Sequence, residues 1–473
     1  MNVIWIISDT FRRDYMGAYG NKAIHTPSLD ALAAKSVRFD SHYAASFPTM
    51  PARADFLTGR WTMSFMKWAP LPKNELVIGE LLAGKGIHTS AVVDTPFYLR
   101  NAMGYDRGFH TFIEVPGQLH HPVIPGTPLD SGVTKANMND REPATQWHFE
   151  SDRFAPRTFI ESMRWLNYHY KEDFFLYIDT WDPHEPWDAP AYYTERYMPE
   201  YDGEIIYPIY GFWHDDPGYS EEKVKKLTAT YCGEVTMVDT WIGYFLRQVE
   251  NMGLMENTAI IFTTDHGFYF GEHGGMIGKS VVATDPNFSN DEATNNTTST
   301  GVWARSPLYQ ELLAIPLLIY LPDAPPSTYS GLTSAVDLMP TVLDIMGVEI
   351  PSAVEGKSLL PIVKDQSLPG REYVIGALPF VNAGETMRTV DDVERRSEWA
   401  SGATITTDEW ELLYDVEPGF SELYNLKSDP KQEKNVITEY PEVAGELHSL
   451  FCEFMKDTKM AEYLVKPRST LRL

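Results

Sequence analysis

The sequence predicts an α/β protein with a large, mostly parallel β-sheet flanked by helices and a smaller α+β subdomain at the C-terminal end. Short β-favouring runs such as residues 3–7 alternate with helical segments, which is the pattern of a parallel sheet with crossover helices. Residues 222–249 carry apolar side chains at spacings of three and four, which predicts a long helix with one buried face. From about residue 370 short strand candidates precede a last helix, so we place the domains at 1–368 and 369–473.

The individual elements follow from apolar periodicity and from capping residues. Strands are predicted in the continuous β-favouring runs 3–7, 88–93, 174–179, 259–264 and 315–321, with shorter ones at 373–375, 403–406 and 410–414. Helices are predicted at 27–33, 76–82, 154–168, 222–249 and 442–455, with one more ending near residue 346. Residues 101–150 and 280–305 lack clear periodicity and are rich in polar residues, so we predict long loops that line a site.

Composition and charge limit the classes of function. The 473-residue chain has a net charge of −27, which argues against nucleic acid and against an anionic membrane surface as partners, because both need a basic face. The two cysteines are too few for a disulfide framework. The first apolar run is too short for a signal peptide or a membrane span, so we expect a cytoplasmic protein. An acidic protein that handles an anionic small molecule needs local positive charge, which a metal ion with a few Lys or Arg residues would supply.

The most informative stretch is residues 49–60. Pro51 suits the first turn of a helix and Gly59 suits its end, so Thr49 is predicted just ahead of the helix N-terminus. A hydroxyl there lies beside free backbone N–H groups that favour an anion, and Arg53 one turn later adds a forked donor for phosphate or sulfate. An ordinary surface helix capped by threonine fits these residues equally well.

Two predicted neighbouring strands end in residues that bind metals. The first is followed by Asp9 and a later one by Asp265 and His266, so the three side chains should meet at the carboxyl edge of the sheet. Carboxylates and an imidazole form a divalent-metal site, and this mixed set does not choose among Mn, Zn, Ca and Mg. Taken singly, each aspartate fits a turn and the histidine fits a structural role at least as well.

A metal ion at this edge would turn the Thr49 hydroxyl into a nucleophile. Arg53, Lys279 and His184 would then hold or neutralise the remaining substrate oxygens, with a histidine as the leaving-group acid. A lysine in a glycine-rich loop is otherwise a solvated side chain, and His273 fits a ligand and a loop hydrogen-bond partner equally well.

Taken together, these motifs resemble the sulfatase family of the alkaline phosphatase superfamily, and most closely its phosphonate monoester hydrolase and arylsulfatase branch. Residues 49–60 match the family hallmark, Cys or Ser followed by x-Pro-x-Arg and ending in Leu-Thr-Gly-Arg, in every defining position but the first. Further matches lie at 2–9, 26–33, 183–186, 264–267, 271–274, 278–279, 337–341, 355–360 and 422–430. The resemblance implies an alkaline phosphatase-like fold. It also implies a divalent metal held by Asp9, Asp265, His266 and residue 49, with Arg53, His184 and Lys279 around the transferred group.

Thr49 departs from the hallmark at the position that decides the chemistry. In the family this Cys or Ser is oxidised to the aldehyde formylglycine, which threonine cannot form because of its extra methyl group. Phosphodiesterase relatives use a plain threonine nucleophile, so the resemblance favours hydrolysis of a phosphate diester or phosphonate ester, with sulfate esters as a side activity. Two alternatives stay open: a sulfuric ester hydrolase that lacks formylglycine or whose native cysteine was replaced, and a catalytically degenerate member that binds an anionic ligand.

Two further departures lower the number of charged groups expected at the site. Thr10 stands where many sulfatases carry a second acid, and residues 94–97 replace a Gly-Lys-Trp-His motif. The further His and Asp ligands that two-metal relatives use for a second ion have no clear match in this sequence, so we expect a single metal ion. The sequence does not identify the leaving group of the substrate, and it is compatible with a homo-oligomer. Candidates for the pocket wall are His120, His121, Trp147, Trp303 and Arg305.

Overall fold

A computed structural model of the chain describes residues 1–66, 68–100, 102–115, 149–284, 301–305, 307–380 and 402–473. The strands of this part are β1 Asn2–Ser8, β2 Val37–Phe39, β3 His42–Tyr43, β4 His88–Val93, β5 Thr111–Glu114, β6 Phe174–Thr180, β7 Gly211–Phe212, β8 Thr258–Thr263, β9 Tyr269–Phe270, β10 Met276–Gly278, β11 Val281–Thr284, β12 Gly301–Arg305, β13 Leu317–Tyr320, β14 Ser327–Tyr329, β15 Thr333–Ser334, β16 Val374–Ala377, β17 Ala403–Thr406, β18 Trp410–Tyr414 and β19 Glu422–Asn425. Apart from a distorted four-residue turn at Glu272–Gly275, the α-helices are α1 Pro27–Ala33, α2 Thr49–Thr58, α3 Ile78–Ala83, α4 Pro96–Leu99, α5 Phe154–His169, α6 Ala191–Thr194, α7 Glu221–Asn251, α8 Gln310–Leu313, α9 Leu338–Ile345, α10 Leu360–Lys364, α11 Pro441–Asp457 and α12 Glu462–Val465.

An eight-stranded sheet organises the fold, with its strands in the order β14-β2-β13-β8-β1-β6-β4-β5. Strand β1 lies inside this sheet and pairs in parallel with β6 on one side and β8 on the other. Among the described strands of the sheet, β13 runs opposite to the rest, because it pairs antiparallel with both β8 and β2. The predicted large, mostly parallel sheet is confirmed. Parallel neighbours bring the ends of β1, β6 and β8 to one edge, which is where a site forms in such folds.

The sheet separates two apolar cores. Side chains of β1 alternate between them, with Val3, Trp5 and Ile7 in one core and Ile4 and Ile6 in the other. Helix α2 packs in the first core and the long helix α7 in the second. Every residue of β1 is buried, which explains its continuous apolar sequence, since a strand covered on both faces needs no polar alternation. None of the helices in the described ranges is long and apolar enough to cross a membrane.

Three strands lie where the sequence predicted loops. Strand β5 extends the large sheet beside β4, while β11 and β12 pair with each other as antiparallel strands. Their sequences are β-favouring but short, and the polar residues around them hid the pattern. The loop prediction is therefore wrong at these positions. Residues 102–110 form turns and bends, as predicted, while residues 116–148 and 285–300 lie outside the described residues.

The C-terminal part of the chain forms a second sheet, with four antiparallel strands in the order β16-β17-β18-β19. The sequence predicted three of these strands and missed β19, whose four residues are flanked by polar segments. Helix α11, predicted at 442–455, packs on this sheet and places Phe454 edge-on against Trp61 of the N-terminal part at 5.3 Å. Both parts therefore share one apolar core, and the domain boundary after residue 368 stays a prediction.

His42 supplies a test of how burial links stability to pH. It lies fully buried in β3 with its Nδ1 atom 2.9 Å from Thr333 Oγ1, and burial lowers its pKa to about 3 from 6.5. The unfolded chain therefore takes up a proton here at a higher pH than the folded chain, so this contribution is complete above pH 6.5 and is lost as the pH falls toward about 3. Relative to His42→Gln, we expect the free energy of unfolding of the wild type to fall by about 1.4 kcal/mol more per pH unit in this window. Urea unfolding at several pH values measures this, and parallel slopes for the two proteins would contradict it.

Candidate active site

Three predicted metal ligands meet at the carboxyl edge of the large sheet. Asp9 follows β1, and Asp265 and His266 follow β8, its parallel neighbour, with Ile7 opposite Thr263 in the register. All three ligand side chains are fully buried. Their proximity follows from the topology, because two parallel neighbours deliver the residues after their last strand positions to the same edge.

The atoms of this group are arranged as a ligand set for a cation. One ligand atom from each of Asp9, Asp265 and His266 lies within 4.8 Å of the other two, and Asp265 Oδ2 lies 3.4 Å from His266 Nε2. His266 Nδ1 donates to the carbonyl oxygen of Gly267 at 3.0 Å, which leaves the lone pair on Nε2 facing the carboxylates. Asp9 Oδ2 is buried and forms no hydrogen bond among the described residues, although Arg53 Nη2 lies 3.0 Å from it as an ion-pair partner. Two buried carboxylates and one imidazole with mutually close ligand atoms fit a divalent metal ion.

The electrostatics of the two carboxylates support the same conclusion. Burial raises the pKa of Asp9 well above its usual value, and the nearby charge of Asp265 adds to this. Although burial acts in the opposite direction, the charges of His266 and Arg53 hold the pKa of Asp265 far below its usual value. Burial lowers the pKa of His266 to about 4, so its imidazole is neutral at neutral pH and is suited to coordinate a metal. Of the two carboxyl groups, Asp9 is therefore the one whose protonated form the surroundings favour.

Thr49 is the first residue of helix α2 rather than the residue before it. The helix runs from Thr49 to Thr58 and ends at Gly59, whose φ of 64° suits glycine. Its first turn packs against the sheet edge, and Thr49 Oγ1 lies 3.5 Å from His266 Nε2. The side chain is almost completely buried, at 4% exposure. The hydroxyl therefore faces the metal-ligand group and does not form a side-chain cap.

Arg53 is surrounded by buried carboxylates. Its Nε and Nη2 atoms donate to Asp179 at 2.8 and 2.7 Å, and Nη1 donates to Asp265 Oδ2 at 2.7 Å. Nη1 also donates to the backbone oxygen of Thr49 at 3.1 Å, and Nη2 lies 3.0 Å from Asp9 Oδ2. Four of the five N–H groups of the guanidinium form these hydrogen bonds, and Nη2 is also in ion-pair contact with Asp9. Arg53 thus orders the candidate metal ligands and the first turn of α2, and its predicted oxyanion role stays a prediction.

Asp179 is a functional residue that the sequence analysis did not single out. It lies near the end of β6, opposite Ile7 in the parallel register with β1, and is fully buried. Both of its oxygens accept from Arg53, and Oδ2 also accepts from the Tyr177 hydroxyl at 2.9 Å. The signal that pointed to Asp9, an acidic residue at the end of a buried strand, was present here as well.

Thr10 orients both metal-binding carboxylates. Its φ of 61° is unusual for a β-branched residue, and the turn lets its backbone N–H donate to Asp265 Oδ1 at 3.0 Å. Its hydroxyl donates to Asp9 Oδ1 at 2.6 Å, which leaves Oδ2 for a cation. Thr10 therefore contributes one hydrogen bond to Asp9 and one to Asp265 in place of a charge.

The Thr10 hydroxyl yields a prediction on metal affinity. Thr10→Val keeps the branched shape and removes the hydrogen bond to Asp9, so we expect the affinity for the metal ion to fall about 10- to 100-fold. Thr10→Ser keeps the hydroxyl and serves as the matched control. Metal content after dialysis in metal-buffered solutions measures the difference. Equal affinities of the two variants would show that Thr10 does not position Asp9.

A second group of largely buried polar side chains is formed by His184, Glu185, Tyr210 and Lys279. His184 stacks on Trp181 with ring centres 4.1 Å apart, and its Nδ1 atom donates to the Glu185 carbonyl oxygen at 2.8 Å. Burial lowers the pKa of His184 to about 3, so the ring is neutral and its Nε2 atom carries a lone pair. Lys279 is 2% exposed, with Nζ 3.4 Å from Glu185 Oε2, and Glu185 also accepts from the Tyr210 hydroxyl. The sequence analysis assigned no role to Glu185 or Tyr210, and the predicted roles of His184 and Lys279 stay predictions.

The remaining candidates lie elsewhere. His273 places Nε2 2.8 Å from Glu311 Oε2 and stacks on Tyr309 with ring centres 3.7 Å apart, so it is a loop hydrogen-bond partner. His120, His121 and Trp147 lie outside the described residues. Trp303 and Arg305 belong to β12, whose side chains are outside the described part of the structure.

Comparison with known proteins agrees with this architecture. The family model described as Sulfatase matches residues 1–348. The arylsulfatase of Clostridium perfringens (strain 13 / Type A) is 23% identical, covering 93% of this chain and 91% of its own length. The crystal structure of the phosphonate monoester hydrolase of Agrobacterium radiobacter superposes with a TM-score of 0.73 at 20% identity, covering 97% of this chain and 96% of that chain. The phosphonate monoester hydrolase from Silicibacter pomeroyi gives a TM-score of 0.70 at 22% identity, covering 98% and 96%. The fold is therefore the alkaline phosphatase-like sulfatase fold.

Proposed function

Since the chain belongs to the sulfatase family of ester-hydrolysing enzymes, we propose that it hydrolyses phosphate diesters or phosphonate esters with Thr49 as its nucleophile. The observation that carries this proposal is the position of the Thr49 hydroxyl, 3.5 Å from His266 Nε2 and at the edge where Asp9 and Asp265 converge. An alcohol in this position lies beside the site of a divalent cation, which is the arrangement that activates a weak nucleophile.

Asp9, Asp265 and His266 would hold one divalent ion, and their two carboxylates and imidazole accept Mn, Zn, Ca or Mg. When bound, such an ion favours ionisation of the neighbouring Thr49 hydroxyl and offsets the negative charge of an ester oxygen. Arg53 keeps the ligands in place, because it contacts both Asp9 and Asp265. Thr10 fixes the direction of the two carboxylates.

The reaction then consists of two displacements at phosphorus. Thr49 Oγ attacks phosphorus, its proton passes to water, and the bond from phosphorus to the leaving oxygen breaks. The leaving oxygen takes up a proton and departs as an alcohol. Water next attacks the phosphorus of the phosphorylated threonine, which restores the Thr49 hydroxyl and releases a phosphate monoester or a phosphonic acid. A sulfated threonine would be harder to hydrolyse, and this favours phosphorus esters over sulfates.

Lys279 is the proposed donor of the proton to the leaving oxygen. Its ammonium group is buried beside Glu185, and its charge lowers the pKa of His184 after the larger effect of burial. A neutral His184 cannot give up a proton from Nε2, whereas an ammonium group has three N–H donors. In this proposal His184 accepts a hydrogen bond at Nε2, and its stacking on Trp181 fixes the ring in place.

Sulfate ester hydrolysis is the second candidate, and the similarity to the Clostridium arylsulfatase favours it. It would require a route to sulfate release without formylglycine, because residue 49 is threonine. A member that only binds an anionic ester is the third reading. The three candidate functions differ in which ester, if any, the protein hydrolyses once a metal ion is bound.

A substrate panel separates these functions. The purified protein is loaded in turn with Mn, Zn, Ca and Mg, its metal content is measured, and nitrophenyl esters of a phosphodiester, a phosphonate and a sulfate are assayed. We expect turnover of the phosphodiester and phosphonate to exceed that of the sulfate. Faster sulfate hydrolysis would favour the second candidate, and metal binding without turnover of any ester would favour the third.

A further inference from the structure

A second group of metal-binding side chains lies at the opposite edge of the large sheet. His88 is the first residue of β4, and Val93 at the other end of that strand lies opposite Asp179 of the active-site edge. His169 is the last residue of α5, and Glu172 lies in the short connection from α5 to β6. The two histidines and the glutamate therefore converge at the amino-terminal edge, the length of a strand away from Thr49.

The ligand atoms of this group are close enough to share one ion. His88 Nδ1 lies 2.6 Å and His169 Nδ1 3.1 Å from the same oxygen, Glu172 Oε2. One ligand atom from each residue lies within 4.8 Å of the other two. Ligand atoms around a tetrahedral zinc ion are about 3.3 Å apart, given bond lengths near 2.0 to 2.1 Å. Small side-chain adjustments would therefore admit an ion between the three atoms.

The backbone around these ligands is held by regular structure. His88 N donates to the Asp173 carbonyl oxygen at 3.0 Å, which ties the start of β4 to the segment carrying Glu172. Glu172 N donates in turn to the His169 carbonyl oxygen at 3.0 Å. The His169 ring stacks on Trp165 at 4.6 Å, and the His88 ring meets His169 edge-on at 4.5 Å. Ligands fixed in this way lose little conformational entropy when a metal binds.

A third histidine lies nearby, but the lone pair of its Nδ1 atom already accepts a hydrogen bond from Thr89. The His110 ring centre is 5.4 Å from that of His88. The backbone N–H of Thr89 donates to His110 Nδ1 at 3.2 Å, so Nδ1 is an acceptor and the proton is on Nε2. The site is thus a set of two imidazoles and one carboxylate. The Glu172 side chain is 48% exposed, so solvent reaches the group and water would complete the coordination.

We propose that His88, His169 and Glu172 form a second metal site that binds zinc or a related late first-row ion. Two imidazoles with one carboxylate favour zinc, copper and nickel over calcium and magnesium, which prefer oxygen ligands. Because the ligands come from β4, from the end of α5 and from the connection to β6, the bound ion links three elements of the sheet edge. The site is independent of Thr49 and of the proposed hydrolysis.

Zinc stoichiometry tests this proposal directly. The untagged wild type, His169→Gln and Glu172→Gln are dialysed against zinc buffered at micromolar free concentration or below, and zinc per chain is measured by mass spectrometry. We expect each variant to bind one zinc equivalent fewer than the wild type. His25→Gln is the matched control, since it removes an exposed histidine outside the group and should retain the wild-type value.

Two further measurements keep the result interpretable. Circular dichroism and thermal unfolding verify that each variant is folded, and zinc should raise the unfolding temperature of the wild type more than that of His169→Gln. Ester hydrolysis should be equal in wild type and His169→Gln, because the substitution lies at the opposite edge from Thr49. Equal zinc stoichiometry in the wild type and both folded variants would overturn the proposal. That outcome would not bear on the proposed hydrolysis. Conversely, a protein that hydrolyses none of the esters could still bind zinc at His88, His169 and Glu172.

Discussion

Thr49→Ala is expected to lower the hydrolysis of phosphate diesters and phosphonate esters by roughly 10³-fold or more. The substitution removes the hydroxyl that lies 3.5 Å from His266 Nε2 and leaves Asp9, Asp265 and Arg53 in place. Metal content should therefore stay near the wild-type value while turnover is lost. Steady-state assays with nitrophenyl esters, run beside metal analysis of the same preparations, measure both quantities.

Two matched variants make this result specific. Thr49→Ser keeps a hydroxyl and should retain activity within about tenfold of the wild type, since the nucleophilic atom is unchanged. In the wild type, rapid acid quenching during turnover should yield a chain heavier by one phosphoryl group that keeps its second ester substituent, or by one phosphonyl group, located at residue 49 and missing from Thr49→Ala. Unchanged turnover in Thr49→Ala would exclude Thr49 as the nucleophile.

Thr49→Cys addresses the sulfatase alternative. Produced together with a formylglycine-generating enzyme, this variant would carry the aldehyde that threonine cannot form. A gain of sulfatase activity would indicate that the rest of the site still suits sulfate esters. A metal-loaded Cys variant without sulfatase activity would favour the phosphorus ester reading.

Much of the fold followed from the sequence because the central strands are buried on both faces. Continuous apolar runs marked β1, β6 and β8. The residues that follow parallel neighbouring strands lie at one edge of the sheet, regardless of the conformation of the loops. Short strands at sheet edges, such as β5 and β19, were missed because four residues within polar surroundings carry little periodicity. Pattern and topology together therefore predicted the positions of Asp9 and Asp265, but not the edges of the sheets.

The roles of charged side chains were harder to predict than their positions. Arg53 was expected to bind an oxyanion, and the sequence did not predict its contacts with three carboxylates, one of them Asp179 from β6. Which acid a buried guanidinium selects depends on the order of the strands, which no single segment of sequence contains. His184 shows the same limit, because its neutral state results from burial beside Trp181 and Lys279. Both roles arise from tertiary contacts between distant segments.

The balance of charge around Arg53 explains why the site suits a divalent ion. Asp9, Asp179 and Asp265 are fully buried and contact one guanidinium, so three carboxylates face a single positive charge in the innermost layer. Burial and the charge of Asp265 raise the pKa of Asp9, so a proton on Asp9 relieves part of the excess. A divalent cation at the same carboxylates would relieve it completely and would release that proton. Metal binding should therefore be accompanied by proton release.

Arg53→Gln is consequently expected to destabilise the fold by about 3–5 kcal/mol, because it leaves three buried carboxylates without their partner. Arg53→Lys keeps the charge but loses the fork that holds Asp179 with two hydrogen bonds, so its loss should be intermediate. Urea unfolding of both variants in the presence of chelator measures these losses, and added metal should restore part of the stability of Arg53→Gln. Asp179→Asn removes one negative charge but keeps Arg53 and a side chain of similar shape. Its stability therefore separates the effect of charge balance from the effect of packing. If Arg53→Gln stayed within about 1 kcal/mol of the wild type, the arginine would not be what neutralises the carboxylates, and the metal ligands would have to be held by their backbone hydrogen bonds alone.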